Sequence, residues 1–338
     1  MDREPDEMQL LGVGGICNEA YKIFRSYTRL LLSLACTLVL PLGIVIFSHS
    51  LISDPLMHKI FRNEERLARE QAGSPAAART ESRLDAEFFG LGVITVLYVV
   101  FLLAFSLLST AAIVYSVASI YTGKGLSYLK VISVVPKVWK RLVYTFLWAH
   151  LLIFLYYVAF AVILLVLFTI QAATGITVLP IVVPVWIAFD ALLIYFNLVW
   201  HLASVVSVLE ESYGIGALKK SAHLIKGKRL VGFCLFSIYV ISVVFVLSLF
   251  RGLVSHHHHM HSMFGRVIVG SLLLVLWTDV TLMGILVQSV LYFVCKSHHN
   301  ESIDRYALSE HLDGYLGEYM PLKGPVSLEA LEAELEEI

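Results

Sequence analysis

Apolar positions along this chain come in runs too long for the elements of a water-soluble domain. Stretches free of Asp, Glu, Lys and Arg cover Leu30–Ser53 (24 residues), Phe88–Gly123 (36), Leu142–Phe189 (48) and Leu230–Phe250 (21). Two more are broken once each: Ala191–Leu209 carries on beyond Asp190, and Val267–Cys295 contains Asp279. At ~1.5 Å of rise per residue a ~30 Å hydrocarbon core takes about 20 residues, so the longest run makes two helices. The turn between them falls within Ala173–Pro184, where Thr174-Gly175, Pro180 and Pro184 supply breakers. The pattern predicts an all-α polytopic membrane bundle with six spans, at about 30–52, 90–120, 142–171, 180–209, 230–250 and 267–295. Residues 1–29 and 296–338 flank it.

Composition agrees with this pattern and removes other classes. Hydrophobic residues make up 58 % of the 338 and charged ones 15 %, with a mean hydropathy of +0.79. The formal charge of −1 gives no basic field that would attract nucleic acid. The cysteines, Cys17, Cys36, Cys234 and Cys295, lie in or beside apolar runs without a CxxC pair, so no disulfide is expected. The start, MDREPDEMQ, is acidic and polar, unlike the basic start of a secretory signal. Charge is instead sorted by side. The N-terminus, the loops 121–141 and 210–229 and the tail carry 17 Lys and Arg and the opposite side 8, which predicts that both termini are cytosolic.

The two basic loops resemble one another. Ser116–Gly125 (SVASIYTGKG) matches Ser207–Gly216 (SVLEESYGIG) at an offset of 91, and KRLV recurs at Lys140–Val143 and Lys228–Val231. A weaker copy opens at Gly12-Val13-Gly14. This predicts three repeats, each a short interfacial helix followed by a hairpin of spans. Ile16, Ala20, Ile23 and Tyr27 in the first short helix, and Leu218, Ala222 and Ile225 in the third, lie at helical spacing. Lys140, Arg141, Lys219, Lys220, Lys226, Lys228 and Arg229 are the candidate contacts for anionic lipid headgroups, which attract each basic residue by about 1 kcal/mol.

Val208–Phe233, VLEESYGIGALKKSAHLIKGKRLVGF, resembles the loop of the glycerophosphoryl diester phosphodiesterase membrane-domain family, in which a Glu-rich turn leads to G-x-x-A-L-x-x-S and a K-G before the next span. Tyr292–Lys323 is similar to the tail of a group of six-span plant membrane proteins of unassigned activity. The resemblance implies a helical membrane fold over nearly the whole chain. In bacterial relatives this membrane domain can be joined to a soluble phosphodiesterase with a His-Arg-Gly start and paired acidic metal ligands, to which nothing here corresponds. The longest polar segments, Asp54–Glu87 and Lys296–Ile338, are too short for a catalytic barrel of ~250 residues.

Asp190 and Asp279 stand out chemically, because a charge at membrane depth costs a few kcal/mol and usually turns to a partner inside the bundle. Their 89-residue separation matches the repeat, so they are expected either as a proton- or cation-binding pair or as hydrogen-bonded structural groups. His150 and His201 each lie nine residues from a charged flank, at similar depth, with Asn197 one turn from His201. They predict a polar layer across two helices, or a hydrogen bond between them. His256, His257, His258, His259 and His261 form a run able to bind Zn²⁺ or copper, or to arise as low-complexity sequence. Asp54-Pro55 reads as the N-cap and first position of a solvated helix that leads into a Gly/Ser/Pro/Ala linker.

Leu10 and Leu11 in DEMQLL, and Tyr319 and Leu322 in YMPL, match sorting signals read by adaptors, which points to the endomembrane system or plasma membrane. P-loop, Rossmann, HExxH, GxSxG and kinase motifs do not occur. The sequence therefore predicts a non-enzymatic membrane protein without a cofactor. Membrane lipids are its expected partners, and its expected role is membrane organisation or trafficking through basic interfacial helices and tail. The alternative is a small-solute or ion transporter using Asp190 and Asp279.

Overall fold

In the computed structural model, residues 9–70, 74–123, 125–175, 177–255 and 263–299 are described, and among them every regular element is a helix. Six of the helices are long and apolar enough to cross a membrane. The order is α1 (Val13–Ser26), α2 (Thr28–Arg69, with a π-helical turn at Ala35–Val39), α3 (Pro75–Tyr121) and α4 (Tyr128–Thr174). There follow α5 (Leu179–Leu209), α6 (Ile215–Leu224), α7 (Arg229–Phe250, continued by a π-helical turn Arg251–Ser255) and α8 (Met263–His298).

Helix α8 is the hub. It packs on α1, α2, α3, α5 and α7; α4 sits outside, on α3, α5 and α6. Small residues let the backbones close up, as membrane bundles require. A Cβ on Gly43 of α2 would fall 2.9 Å from Cε3 of Trp277, and one on Gly284 of α8 would fall 2.6 Å from the Tyr239 ring of α7. The expected break between the two helices of the 48-residue run is present. Gly175 closes α4 at φ +69 and Pro180 stands in the first turn of α5.

Three elements differ from expectation. Asp54 is not an N-cap, because α2 runs unbroken through Pro55 to Arg69. Asp54 accepts a hydrogen bond from Ser50 (3.2 Å) and lies 3.9 Å from Arg251, so it ties α2 to the end of α7. Beyond it, α2 and α3 extend together as a hairpin tied by Asn63 to Glu87 (2.8 Å) and Thr80 to Glu70 (3.4 Å). The predicted linker shrinks accordingly, and Ser74 caps α3 with Pro75 as its first residue. Burial of Ile60 and Ala77 on the two arms favours the continuous helix over a break at Pro55.

The second difference is that the stretch 128–141 is not a separate short helix but the first turns of α4. The third is that the amphipathic helices do not offer their apolar faces to lipid. In α1, Ile16, Ala20 and Ile23 are fully buried in the bundle, and Tyr27, placed on the same stripe, is exposed. In α6 the buried stripe is Ala217, Ser221, Leu224 and Ile225, with Leu218 and Ala222 half-buried. Protein rather than lipid supplies the apolar surface, since α8, α7 and α5 present close-packed partners at that level.

Candidate functional site

The end of the bundle that bears α1 and α6 is basic, and its polar side chains are largely engaged in holding it together. Glu210 follows the last residue of α5 and its side chain is only 11 % exposed. It accepts from Lys220 of α6 (2.6 Å), from the Tyr292 hydroxyl (2.6 Å) and from Lys296 of α8 (3.0 Å). Burial alone would raise this carboxyl. The hydrogen bonds from Lys220 and Tyr292 and the charge of Lys296 outweigh that and hold it below the usual carboxylate value.

Beside this clasp, Gly214 turns at φ +63 and its N–H donates to Thr145 Oγ1 (2.7 Å), which shares a buried hydrogen bond with Ser207 (2.8 Å). Ser221 donates to the Val199 carbonyl (2.6 Å), and the His299 ring donates to the carbonyls of Leu224 and Lys226. Glu210, Gly214 and Ser221 are thus the positions of the Val208–Phe233 motif that dock α6 under the bundle.

Among the basic candidates, Lys140, Lys219, Lys226 and Arg229 are exposed, and Arg229 lies 6.0 Å from the centroid of the Tyr195 ring. Lys220 is committed to Glu210, Lys228 donates to the Leu11 carbonyl (3.4 Å), and Arg141 is half-buried. Leu10 is exposed while Leu11 packs on the core, so only half of the dileucine string is free at this face. Tyr319 and Leu322, and the run His256, His257, His258, His259 and His261, lie outside the described residues.

Between the helices lies a cavity of about 610 Å³, within the ~300–1,000 Å³ of small-molecule sites. Its walls come from α2, α3, α5, α7 and α8, with Cys17 of α1 reaching it from the basic end. Burial pushes the Cys17 thiol up. The walls are mainly apolar, with Leu102, Leu198, Leu202, Leu235 and Phe236 among them. Polar groups converge on it from four helices: Ser106, Ser109 and Thr110 of α3, His201 of α5, Tyr239 and Ser242 of α7, and Asp279, Thr281 and Gln288 of α8. Trp277 also lines it, 3 % exposed, and its indole Nε1 is buried with no hydrogen-bond partner among the described residues.

The sequence candidates divide over this cavity. Asp279 lines it and is exposed, and no ion pair or hydrogen bond engages it among the described residues. Asp190 is exposed on α5, next to Phe189, whose carbonyl takes the Tyr156 hydroxyl (3.0 Å), and it is not part of the lining. His201 lines the cavity, and Gln288 donates to its carbonyl and to Ser204 Oγ (3.0 Å). His150 is exposed, donates to the Phe146 carbonyl through Nδ1 and stacks on the Phe146 ring. The two imidazoles reach similar depth but flank Trp200, whose ring centroid is 5.1 Å from His150 and 5.0 Å from His201. Asn197 donates back to Leu193 (2.9 Å) within its own helix.

Glu210, Tyr292, Lys296, Gln288 and Trp277 were not legible as functional positions. The one available signal was the Glu-Glu pair in the Val208–Phe233 motif. No curated protein and no solved structure matches the chain. Its sequence matches a family model over residues 1–331, and the chain belongs to that family, described as Domain of unknown function (DUF8558).

Proposed function

We propose that this is a non-enzymatic integral membrane protein that holds a membrane amphiphile between its helices, in a role of membrane organisation or trafficking. The observation that carries the reading is the cavity. An apolar wall of this size with a few converging hydroxyls, an amide and one carboxylate fits a molecule with a long apolar part and a small polar head. The exposed Lys140, Lys219, Lys226 and Arg229 favour anionic headgroups at the basic end, which we read as cytosolic from the positive-inside bias. We also read the chain as three repeats, related to the glycerophosphoryl diester phosphodiesterase membrane-domain family. Support for the repeats comes from Gly123 and Gly214, 91 residues apart, which both turn at positive φ (70° and 63°). Ser116 and Ser207, at the same offset, both donate to the carbonyl four residues earlier (2.8 and 2.9 Å). In the second copy Trp139 stands where the third has Gly227 at φ +91, so its amphipathic stretch continues into the span.

The test is lipid retention. Purified wild-type protein reconstituted from a mixed lipid extract is expected to keep a stoichiometric amphiphile by native mass spectrometry, and a Ser106→Phe/Ser242→Phe variant, filling the cavity from α3 and α7, to lose it while remaining folded. Equal retention by both proteins removes the reading. A Lys140→Glu/Lys219→Glu/Lys226→Glu variant is expected to keep the cavity ligand but to lose selective enrichment of anionic lipid, by a few kcal/mol in sum at about 1 kcal/mol per charge.

A transport reading is favoured by one observation, the Asp279 carboxylate on the cavity wall with no partner among the described residues. Asp190 contributes nothing to that wall, so a transporter would work through Asp279 without it. Asp190→Asn is then expected to leave uptake unchanged and Asp279→Asn to abolish it, measured in proteoliposomes.

A further inference from the structure

Among the described residues, Asp279 is the single acidic one on the cavity wall, and neither Lys nor Arg stands there. A carboxylate at membrane depth costs a few kcal/mol unless it finds a partner, and none among the described residues supplies one. We infer that the cavity selects an amphiphile whose head carries a cationic amine, seated on the Asp279 carboxylate with its apolar tail running toward the basic end. This rests on the amphiphile reading above and narrows it to one head chemistry.

Helix register places the head and the tail. Tyr239 packs against Gly284, so three residues further along the antiparallel α7 puts Ser242 within about one helical turn of Asp279. Tyr121 packs on Phe293 with centroids 4.4 Å apart, and counting back 14 residues on both of these parallel helices puts Leu107, between Ser106 and Ser109, at the level of Asp279. The carboxylate therefore stands among hydroxyls at one end of the cavity, able to accept from an ammonium while its neighbours take the remaining donors. From Asp279 to Leu291, also on the wall, is 12 residues or about 18 Å of helix. Over that length the lining is dominated by Leu198, Leu202, Leu235 and Phe236, an apolar channel for a chain. His201, level with Gln288 through their hydrogen bond, lies about 13 Å from the Asp279 level, too far to serve the same head. An anionic head would meet a like charge at Asp279, and a neutral one would leave the carboxylate unpaired.

The experiment compares dodecylamine, dodecanol and dodecanoate, which share one tail, by displacement of a fluorescent fatty probe from protein in neutral phosphatidylcholine nanodiscs at pH 7. Wild type is expected to bind the amine at least tenfold more tightly than the alcohol, with the carboxylate weakest. Asp279→Asn is expected to bring the amine down to the alcohol while alcohol affinity holds, and Asp279→Glu to restore most of the preference. Asp190→Asn, whose carboxylate lies off the cavity, keeps the full preference. Equal affinity of wild type for amine and alcohol overturns the inference and leaves the amphiphile reading standing, as does a preference that survives Asp279→Asn or falls equally in Asp190→Asn. Failure of all three probes to bind overturns both.

Discussion

Glu210→Ala is expected to destabilise the protein by about 3 kcal/mol, the low end of the ~3–5 kcal/mol for breaking a buried ion pair. The change leaves Lys220 and Lys296 facing each other across an emptied space and removes the acceptor of Tyr292. The figure sits low because the Lys220 side chain is 33 % exposed and Lys296 20 %, so water screens part of the charge left behind. Loss of the clasp frees α6 from α8, so proteolysis between 210 and 229 is expected to rise with the loss of thermal stability. The same residue sets an acid limit. The Glu210 carboxyl is held below its ordinary value in the fold, so it binds protons more readily when unfolded. Its contribution is complete above the unfolded carboxylate pKa of about 4.3 and is lost as the pH falls through the lower folded value. Melting curves between pH 3 and 7 are expected to show wild type losing stability below about pH 4.3 and Glu210→Gln losing less over that window. Parallel curves for the two proteins would show that the Glu210 carboxyl titrates alike in the folded and unfolded states.

Gly284→Val is expected to cost about 1–3 kcal/mol through overpacking. Its Cβ falls 2.6 Å from two carbons of the Tyr239 ring, where helices α7 and α8 meet through backbone and ring. The Tyr239 ring lines the cavity, so the displaced ring narrows it and retention of the amphiphile falls together with stability. Gly90→Val on α3 is the control. Nothing lies within 4 Å of a Cβ there, and stability is expected to stay within about 0.5 kcal/mol of wild type. Thermal unfolding in detergent alongside native mass spectrometry reads both effects. A Gly284→Val protein as stable and as well loaded as wild type would show that the α7–α8 contact is not close-packed.

The basic candidates show why contact decides what spacing leaves open. Lys219 and Lys220 are neighbours of the same type on one amphipathic helix, and the sequence offers both to lipid. In the fold Lys219 is exposed, and Lys220 is held 2.6 Å from a carboxylate at the end of another helix. The separation of Asp190 and Asp279 by nearly one repeat gives them comparable depth, yet depth does not specify face. One lines the cavity and the other does not. Asp54-Pro55 carried the local signature of a helix start, and a docked hairpin overrode it.

Sequence by itself determined the helical membrane class, the six apolar segments, the turn at Gly175 and the sidedness of basic charge. Each of these depends on hydrocarbon thickness, on satisfying every backbone group within lipid, or on one residue's own backbone freedom, all of which are local. Tertiary structure alone decided that α1 and α6 bury their apolar faces in protein, that Glu210 gathers Lys220, Tyr292 and Lys296, and that five helices leave a cavity with Asp279 on its wall. These depend on how helices rotate and tilt against one another. In a bilayer nearly every face of an apolar helix is equally acceptable to lipid, so the hydrophobic pattern that fixes an inward face in water gives no such instruction here, and close packing at residues such as Gly43 and Gly284 supplies it instead.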